Sequence, residues 1–215
     1  MYNLEEFMHI VRKRTFLILI SGALIFLIGA CGTQTGNNSE VTEETQQTQE
    51  TESEFYIEIA DATEILTKTW DTYTEEERFP IMGGHFESAV MDAPAKYDLT
   101  QTTDLTQMYC VPESQLEWID DVATMIDFYN AGRFTATGIH FTKAEEVQTA
   151  VAEIKTQVIE NQWHGETPEK LLILEIDEQY VITVYGREPL VDEFKQKIER
   201  IYQSMISILI EEAIA

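Results

Sequence analysis

The stretch LLILEIDEQYVITVY, residues 171–185, decides the fold because it holds two short apolar runs separated by three polar residues. The runs are Leu171–Ile176 and Tyr180–Tyr185, and Asp177-Glu178-Gln179 lies between them. Apolar runs of this length around a short polar break predict a β-hairpin with a three-residue loop. Apolar side chains fall on both faces of the hairpin. Either helices cover both faces, or one face meets a partner.

The segments on either side of the hairpin extend this pattern. Phe134–Phe141 is rich in threonine and aromatic residues, which favours a strand. Thr142 and Glu145 have the spacing of a capping box, so a helix is expected next. Its apolar positions are Val147, Val151, Ile154 and Val158. After the hairpin, Pro189 is expected to open a long helix. The apolar positions of that helix are Phe194, Ile198, Ile201, Met205 and Ile208.

Towards the N-terminus the pattern predicts two further helices. Apolar residues recur every three or four positions from Phe55 to Tyr73, and residues 74–111 show poor periodicity and look rich in loops. A second helix is expected from Glu113, with its apolar positions at Leu116, Ile119, Ala123, Ile126 and Tyr129, and Gly132 would stop it. The predicted order is α-α-β-α-β-β-α. We therefore expect one α+β domain over residues 55–215, with helices packed on a small, mixed or antiparallel, three-stranded sheet.

The composition is strongly acidic, with 39 Asp+Glu against 14 Lys+Arg and a formal net charge of −25. Such a chain repels the phosphates of nucleic acids, so a nucleic-acid partner is excluded. Residues 32–54 contain no aromatic residue, lysine or arginine, and Val41 is their only sizeable apolar residue. This segment is expected to be a disordered acidic tether.

The first thirty residues have the pattern of a secretory leader. The basic cluster Arg12-Lys13-Arg14 precedes an uncharged apolar run, Thr15–Ala30, and either Met1 or Met8 could start such a leader. As a helix, this run would reach about 24 Å, which is short of a bilayer core of about 30 Å. The run ends at LIGAC, residues 27–31, which resembles the lipobox of bacterial prolipoproteins.

That resemblance implies a lipid on Cys31. The leader, residues 1–30, would be cleaved between Ala30 and Cys31, and the thiol of Cys31 would carry a diacylglyceryl group. Residues 31–54 would then connect the lipid to the domain. The expected location is the extracytoplasmic face of the cell membrane, with the lipid on Cys31 as the contact with the membrane.

Three further segments carry a resemblance of their own. MDAPAKYDL (91–99), CVPESQLEWIDDVATM (110–125) and PEKLLILEIDEQYVITVYG (168–186) look like segments of uncharacterised lipoproteins of Gram-positive bacteria. Some of those carry the label "bacteriocin transport accessory protein". Accessory proteins of that name are often thioredoxin-like, whereas Cys110 would be the only thiol left after lipidation of Cys31, so paired-cysteine redox chemistry is excluded.

No catalytic, cofactor-binding or metal-binding residue is assigned from the sequence, and no cofactor is expected. His85, His140 and His164 lack the i, i+4 spacing that places two imidazoles on one metal ion. Cys110 has no neighbouring base and is expected to be a small buried residue. Gly83-Gly84 is expected to form a turn with positive φ.

Two functional hypotheses follow from these patterns. The first is a lipid-anchored binding or accessory domain that contacts an envelope protein, for example a membrane transporter that it assists, through surplus apolar surface on the closing helix. That surplus comprises Ile201, Met205, Ile206, Ile208, Leu209 and Ile210. The alternative is a hydrolase or metal-dependent enzyme that uses His85, His140 or His164 with nearby carboxylates.

Overall fold

The structure, a computed structural model, describes residues 56–214. The leader, Ala30, Cys31 and the tether lie outside the described residues, and so does Phe55. The helices are α1 (Ala62–Trp70), α2 (Thr102–Gln107), α3 (Val147–Glu160) and α4 (Glu188–Tyr202). The strands are β1 (Ile81–Gly83), β2 (Val90–Met91), β3 (Ala95–Lys96), β4 (Ile119–Asp127), β5 (Phe134–Phe141), β6 (Lys170–Ile176), β7 (Tyr180–Gly186) and β8 (Ile206–Ala213).

These strands form one sheet, in which every pairing is antiparallel. The strand order is β2-β1-β4-β5-β7-β6-β8, and β3 also pairs with β4. The expected mixture of helices and strands holds, but the prediction of a three-stranded sheet is wrong, because the sheet has eight strands. The five additional strands come from segments that were predicted to be loop or helix.

The hairpin prediction is confirmed at the middle of this sheet. β6 and β7 pair from Lys170–Gly186 to Ile176–Tyr180, and the loop between them is Asp177-Glu178-Gln179. Asp177 and Glu178 have φ values of 53° and 62°, which the tight reversal of the chain requires. On its outer sides the hairpin pairs with β5 and with β8.

Both faces of the sheet are covered, which confirms one of the two arrangements expected for a hairpin with two apolar faces. On the first face, Leu172, Leu174, Ile182 and Val184 pack in one cluster with residues of α1 and α4. On the second face, Leu171, Ile173, Val181 and Tyr185 pack in another cluster with α3 and with the segment from Tyr97 to Val111. The domain is therefore three layers deep, with the sheet in the middle.

The helix predictions hold in part. The strand over Phe134–Phe141 and the helix that begins at Val147 are confirmed, and Pro189 does lie in the first turn of α4. The first helix is shorter than predicted, because α1 begins after Asp61, whose carboxylate caps it by accepting a hydrogen bond from Glu64 N. The capping-box prediction is wrong, because Thr142 donates instead to the carbonyl of Trp118 and a 3₁₀ turn precedes α3.

The second predicted helix is a strand. Glu113–Trp118 forms only a 3₁₀ turn, and β4 follows it from Ile119 to Asp127. All residues of β4 except Asp120 are buried, so its apolar residues do not alternate with polar ones. Such a run matches a helical spacing by chance as readily as it matches a strand.

The last predicted helix ends earlier than expected. α4 ends at Tyr202, and Ile206–Ala213 is the strand β8, which pairs with β6. The apolar residues Ile206, Ile208, Leu209 and Ile210 therefore lie on a strand and not on a helix. Within residues 56–214, no helix is both long and apolar enough to cross a bilayer.

Candidate functional site

The three candidate histidines of the described chain lie in separate surroundings. His85 is buried beside β1, where its Nδ1 accepts a hydrogen bond from Glu87 N at 3.3 Å. Its Nε2 lies 3.7 Å from a carboxylate oxygen of Asp104, and its ring meets that of Tyr97 edge to face. These contacts hold the loop after β1, so His85 has a structural role.

His140 lies on β5 beside two aspartates. Its Cα is paired with that of Asp121, and a register shift between Ile119 and Asp121 brings Asp120 to its ring. The Nδ1 of His140 is 2.5 Å from Oδ1 of Asp120, and the ring centroid is 4.6 Å from that of Tyr180. A histidine and two carboxylates thus come together in this part of the fold.

Asp121, however, is used to hold α1 against the sheet. Its Oδ2 accepts a hydrogen bond from Ala62 N at 2.7 Å, at the first turn of that helix. Its Oδ1 lies 2.8 Å from the ammonium of Lys96 and raises the pKa of that lysine through the hydrogen bond and the charge. A carboxylate that is occupied on both oxygens has a structural role.

The Asp120–His140 pair can act as a base. A carboxylate that accepts the Nδ1 proton leaves the other ring nitrogen free to take a proton, which is the orientation that hydrolases use. Among residues 56–214, no group of three histidine, cysteine or acidic side chains could hold a metal ion.

His164 lines a shallow cavity of about 600 Å³, and Cys110 is among the other residues that line it. Cys110 is 2 % exposed, and Asn161 Nδ2 donates to its sulfur at 3.7 Å. Burial raises the pKa of this thiol to about 11, so it is protonated at neutral pH and cannot act as a nucleophile. The prediction of a small buried residue is confirmed. The positive φ expected at Gly83-Gly84 is found at Gly84 alone, where φ is 83°, because Gly83 is the last residue of β1.

The described chain also exposes several large apolar side chains on segments next to β1, at one edge of the sheet. We call five of them the aromatic patch: Phe86, Val90, Met91, Phe128 and Tyr129. All five lie on segments that adjoin β1. Phe86 is in the turn from β1 to β2, β2 carries the next two, and Phe128 N donates to the carbonyl of Pro80, one residue before β1. Tyr129 is the most exposed of the five, at 72 %.

A buried carboxylate holds the aromatic pair of this patch in place. Asp127, the last residue of β4, is 1 % exposed. Its Oδ1 accepts hydrogen bonds from Tyr129 N at 2.9 Å and from Asn130 N at 3.1 Å, and its Oδ2 lies 3.3 Å from the guanidinium of Arg133. The rings of Phe128 and Tyr129 meet edge to face, with centroids 5.3 Å apart. The two aromatic side chains are thus presented on a backbone that is already ordered.

Sequence reasoning missed this patch, although the chain contains a signal for part of it. Phe128-Tyr129 was assigned to the second helix, yet the run Asp127 to Gly132 reads DFYNAG, with a turn-forming aspartate before the aromatic pair and Asn130 and Gly132 after it. Two adjacent aromatic residues between turn residues indicate a loop that exposes them. Nothing comparable marks Phe86, Val90 or Met91.

No protein-family model, curated protein or solved structure matches the chain.

Proposed function

We propose that this chain is a lipid-anchored, extracytoplasmic binding domain that contacts a protein of the cell envelope through the aromatic patch. The observation that carries the proposal is the pair Phe128 and Tyr129, exposed on a loop that a buried carboxylate holds in place. The domain acts by contact, as an accessory to another protein. A membrane transporter is one fitting class of partner.

The anchor is supported by the order of features in the leader. A basic cluster, an apolar run and the LIGAC sequence at residues 27–31 occur together, which is a far more specific signal than any one of them alone. Two acyl chains on Cys31 would hold the protein stably, since each buried methylene contributes about 0.8 kcal/mol. A lipid there keeps the domain next to membrane proteins, which favours a partner of that class.

The contact role is supported by the chemistry of the patch. Exposed aromatic side chains favour binding because they bury a large area and lose little rotamer entropy when they do so. Ordering of the loop by Asp127 before binding lowers the entropy that is lost in the complex. An apolar patch on this chain calls for a partner surface that is apolar at its centre. The net charge of −25 favours a partner surface that is basic at its rim.

Replacing Cys31 by serine is expected to abolish lipidation and to leave the precursor uncleaved, because the hydroxyl does not accept the diacylglyceryl group. The measurement is incorporation of labelled fatty acid in cells, together with the apparent mass of the protein. Cys110→Ser is the matched control, since it removes the other cysteine of the chain and should keep the label. Fatty-acid labelling that persists in the Cys31 variant would overturn the anchor.

Replacing Phe128 and Tyr129 together by alanine is expected to weaken partner binding by about tenfold or more, because exposed aromatic residues of this kind often contribute over 1.4 kcal/mol each to an interface. The measurement is quantitative cross-linking in intact cells followed by purification of the chain. Ile159→Ala on α3 is the control, because it removes a side chain of similar exposure at another site. Equal recovery of every cross-linked protein with both variants would show that the patch is not the contact surface.

A hydrolase remains a second candidate because of the 2.5 Å contact between Asp120 and His140. If Asp120 and His140 act as a catalytic pair, His140→Ala should lower the cellular activity by about 100-fold or more. The variant should still fold, carry the lipid and bind the partner protein. His164→Ala is the control, since His164 lies elsewhere, in the cavity that Cys110 also lines. An unchanged cellular function in His140→Ala would exclude this candidate.

A further inference from the structure

The strand β8 forms one edge of the sheet. It pairs with β6 on one side, from Ile206–Ile176 to Ala213–Lys170, and no strand within residues 56–214 pairs with its other side. None of its eight residues is fully buried. In an antiparallel pair, every second residue turns its N–H and C=O groups away from the neighbouring strand. The outer side of β8 therefore offers a row of backbone donors and acceptors.

This edge has little of the protection that proteins usually give to the edges of their sheets. Short strands, prolines, bulges and inward-pointing charges keep other chains from pairing there. The strand at the opposite edge, β2, has only two residues. β8 contains no proline, and its one irregularity is a bulge where β6 passes from Ile173 to Leu174. An edge of this length can accept an extended segment as a further strand.

The middle of β8 is apolar on both faces of the sheet. Ile208 is 45 % exposed and lies opposite Leu174, on the face that α1 and α4 cover. Leu209 and Ile210 pack, partly buried, against the cluster on the other face. Apolar or β-branched side chains of an added strand would therefore fit beside the middle of β8.

The C-terminal end of β8 has no positive charge to spare. Four carboxylates share three ammonium groups there, so each ammonium already has a partner within the chain. The ion pairs are Glu211–Lys170, Glu211–Lys195, Glu212–Lys155, Asp192–Lys170 and Glu199–Lys195. An acidic segment would find no free cation at this end of the strand.

The N-terminal end of β8 is acidic and lacks such cations. A cavity of about 270 Å³ lies there, and its lining includes Glu175, Asp177, Glu178 and Ser207 but no lysine or arginine. Ser207 of β8 is paired with Glu175 of β6. Burial and the charge of Glu178 raise the pKa of Glu175 above the usual value of a glutamate. A positive charge in the cavity would offset both effects.

We propose that β8 accepts an extended, basic segment of a partner protein as a further strand, with a lysine or arginine side chain in the cavity at Glu175. The free edge supplies the backbone hydrogen bonds, and the carboxylates select the charge of the segment. A second copy of this chain does not fit, because its own β8 would bring the same excess of carboxylates to the junction.

The spacing of strands agrees with this placement of the basic residue. A residue of the added strand opposite Ser207 would project from the same face of the sheet as Glu175 does. Its Cα would lie two strand spacings, or about 10 Å, from that of Glu175. The long side chain of a lysine or arginine, together with that of the glutamate, spans this distance.

This inference goes beyond the proposed function and does not depend on it. β8 forms one edge of the sheet, and β2, which carries part of the aromatic patch, forms the other. The aromatic patch offers apolar side chains, whereas β8 offers backbone hydrogen bonds and negative charge. A variant of one surface should therefore leave binding at the other unchanged.

The test measures binding of three synthetic peptides to the full chain in detergent by fluorescence anisotropy. The first peptide alternates valine and threonine over about ten residues, enough to cover β8, and ends in two lysines. The second has glutamates in place of the lysines. The third keeps the lysines but carries N-methyl groups on consecutive central residues, which remove backbone donors on both of its edges. We expect the first to bind at least about tenfold more tightly than either of the others.

Each comparison can overturn the proposal. Equal binding of the lysine and glutamate peptides would show that the edge does not select a basic segment. Equal binding of the lysine peptide and its N-methylated form would show attraction to the net charge of −25 without strand pairing.

A pair of double variants tests the cavity itself. Glu175→Gln with Asp177→Asn should weaken binding of the lysine peptide by about fivefold or more, because it removes two carboxylates and keeps the size of both side chains. Glu75→Gln with Glu76→Gln is the matched control, since it removes the same charge from the exposed turn after α1. Equal losses of affinity in the two double variants would overturn the proposed site.

Hydrogen exchange of the wild type locates the bound peptide without any variant. Amides of β8 should exchange more slowly when the lysine peptide is present, with α3 unchanged. Unchanged exchange in β8 would overturn the proposal. So would slower exchange of β8 in a concentrated solution of the chain alone, because the occupant would then be a second copy. The Phe128 and Tyr129 variant should bind the lysine peptide as the wild type does, so a failure of the proposed function is distinguishable from a failure of this inference.

Discussion

Replacing Gly186 by alanine is expected to destabilise the domain by about 3 kcal/mol or more, measured by urea unfolding. Gly186 is the last residue of β7 and has a φ of 153°, a conformation that side chains with a Cβ rarely adopt. A Cβ at this position would lie 2.3 Å from the backbone oxygen of Arg133. That oxygen is fixed, because it accepts a hydrogen bond from Arg187 N at 2.9 Å. Both the unfavourable φ and the clash with the oxygen of Arg133 involve the backbone, so no movement of a side chain can relieve them.

Gly138→Ala is the matched control for this prediction. Gly138 lies within β5, and a Cβ there would meet its nearest atom, Cβ of Ala62, at 3.3 Å, with Cδ1 of Ile182 at 3.4 Å. These neighbours can shift by a few tenths of an ångström, and alanine also lowers the entropy of the unfolded chain. The expected change in the free energy of unfolding is within about 1 kcal/mol. Equal losses in the two variants would mean that the backbone at Gly186 is not held as described.

The difference between predicted and observed strands has a physical cause in the burial of the sheet on both faces. Sequence patterns identify a strand readily when one face of its sheet is exposed to solvent, because apolar and polar residues then alternate along the strand. β5, β6 and β7 were found for other reasons: each is short, and turn residues such as Asp177 or Gly132 lie at its ends. β4 has turn residues only after its end, because a 3₁₀ turn without glycine leads directly into its start. Its pairing with β5 and β1 overrides the apparent helical spacing.

β8 shows a different limit of sequence reasoning. Ile206, Ile208 and Ile210 are β-branched and recur every second residue, which favours a strand. This signal was outweighed by a helical spacing that continues from α4, because no glycine or proline separates the two elements. What ends α4 is the edge of β6, which offers hydrogen bonds that only an extended segment can use. The sequence of β8 alone does not show that β6 has an edge with free hydrogen-bonding groups.

The candidate site was harder to predict than the fold, because its parts are distant in sequence. Phe86 and Phe128 lie on neighbouring segments only because β1 pairs with the end of β4. β1 has just three residues, which is too short to be recognised in the sequence. In the same way, the contact of His140 with Asp120 depends on a register shift that no spacing rule anticipates. The closing apolar residues were predicted to be surplus surface on a helix, but only Ile208 of them is exposed, and the others pack against the two clusters that cover the sheet.

Replacing Asp127 by alanine is expected to cost about 3–5 kcal/mol of stability. The change leaves Tyr129 N and Asn130 N without their acceptor and removes the negative charge beside the half-buried guanidinium of Arg133. Asp127→Asn should cost less, because its amide oxygen can still accept the two backbone hydrogen bonds. Asp71→Ala is the control, since Asp71 is mostly exposed and lies 3.8 Å from Arg78, so its loss should cost at most about 1 kcal/mol.

The same aspartate links stability to the proposed binding surface. In Asp127→Asn the domain should fold, yet the loop that carries Phe128 and Tyr129 is held less firmly, since a neutral amide binds Arg133 more weakly than a carboxylate does. We therefore expect faster hydrogen exchange at Tyr129 N and Asn130 N and weaker partner binding, although the aromatic side chains are unchanged. A loss of stability without any change in exchange or binding would show that Asp127 supports the core alone. In that case Phe128 and Tyr129 would not depend on a preformed loop to reach their partner.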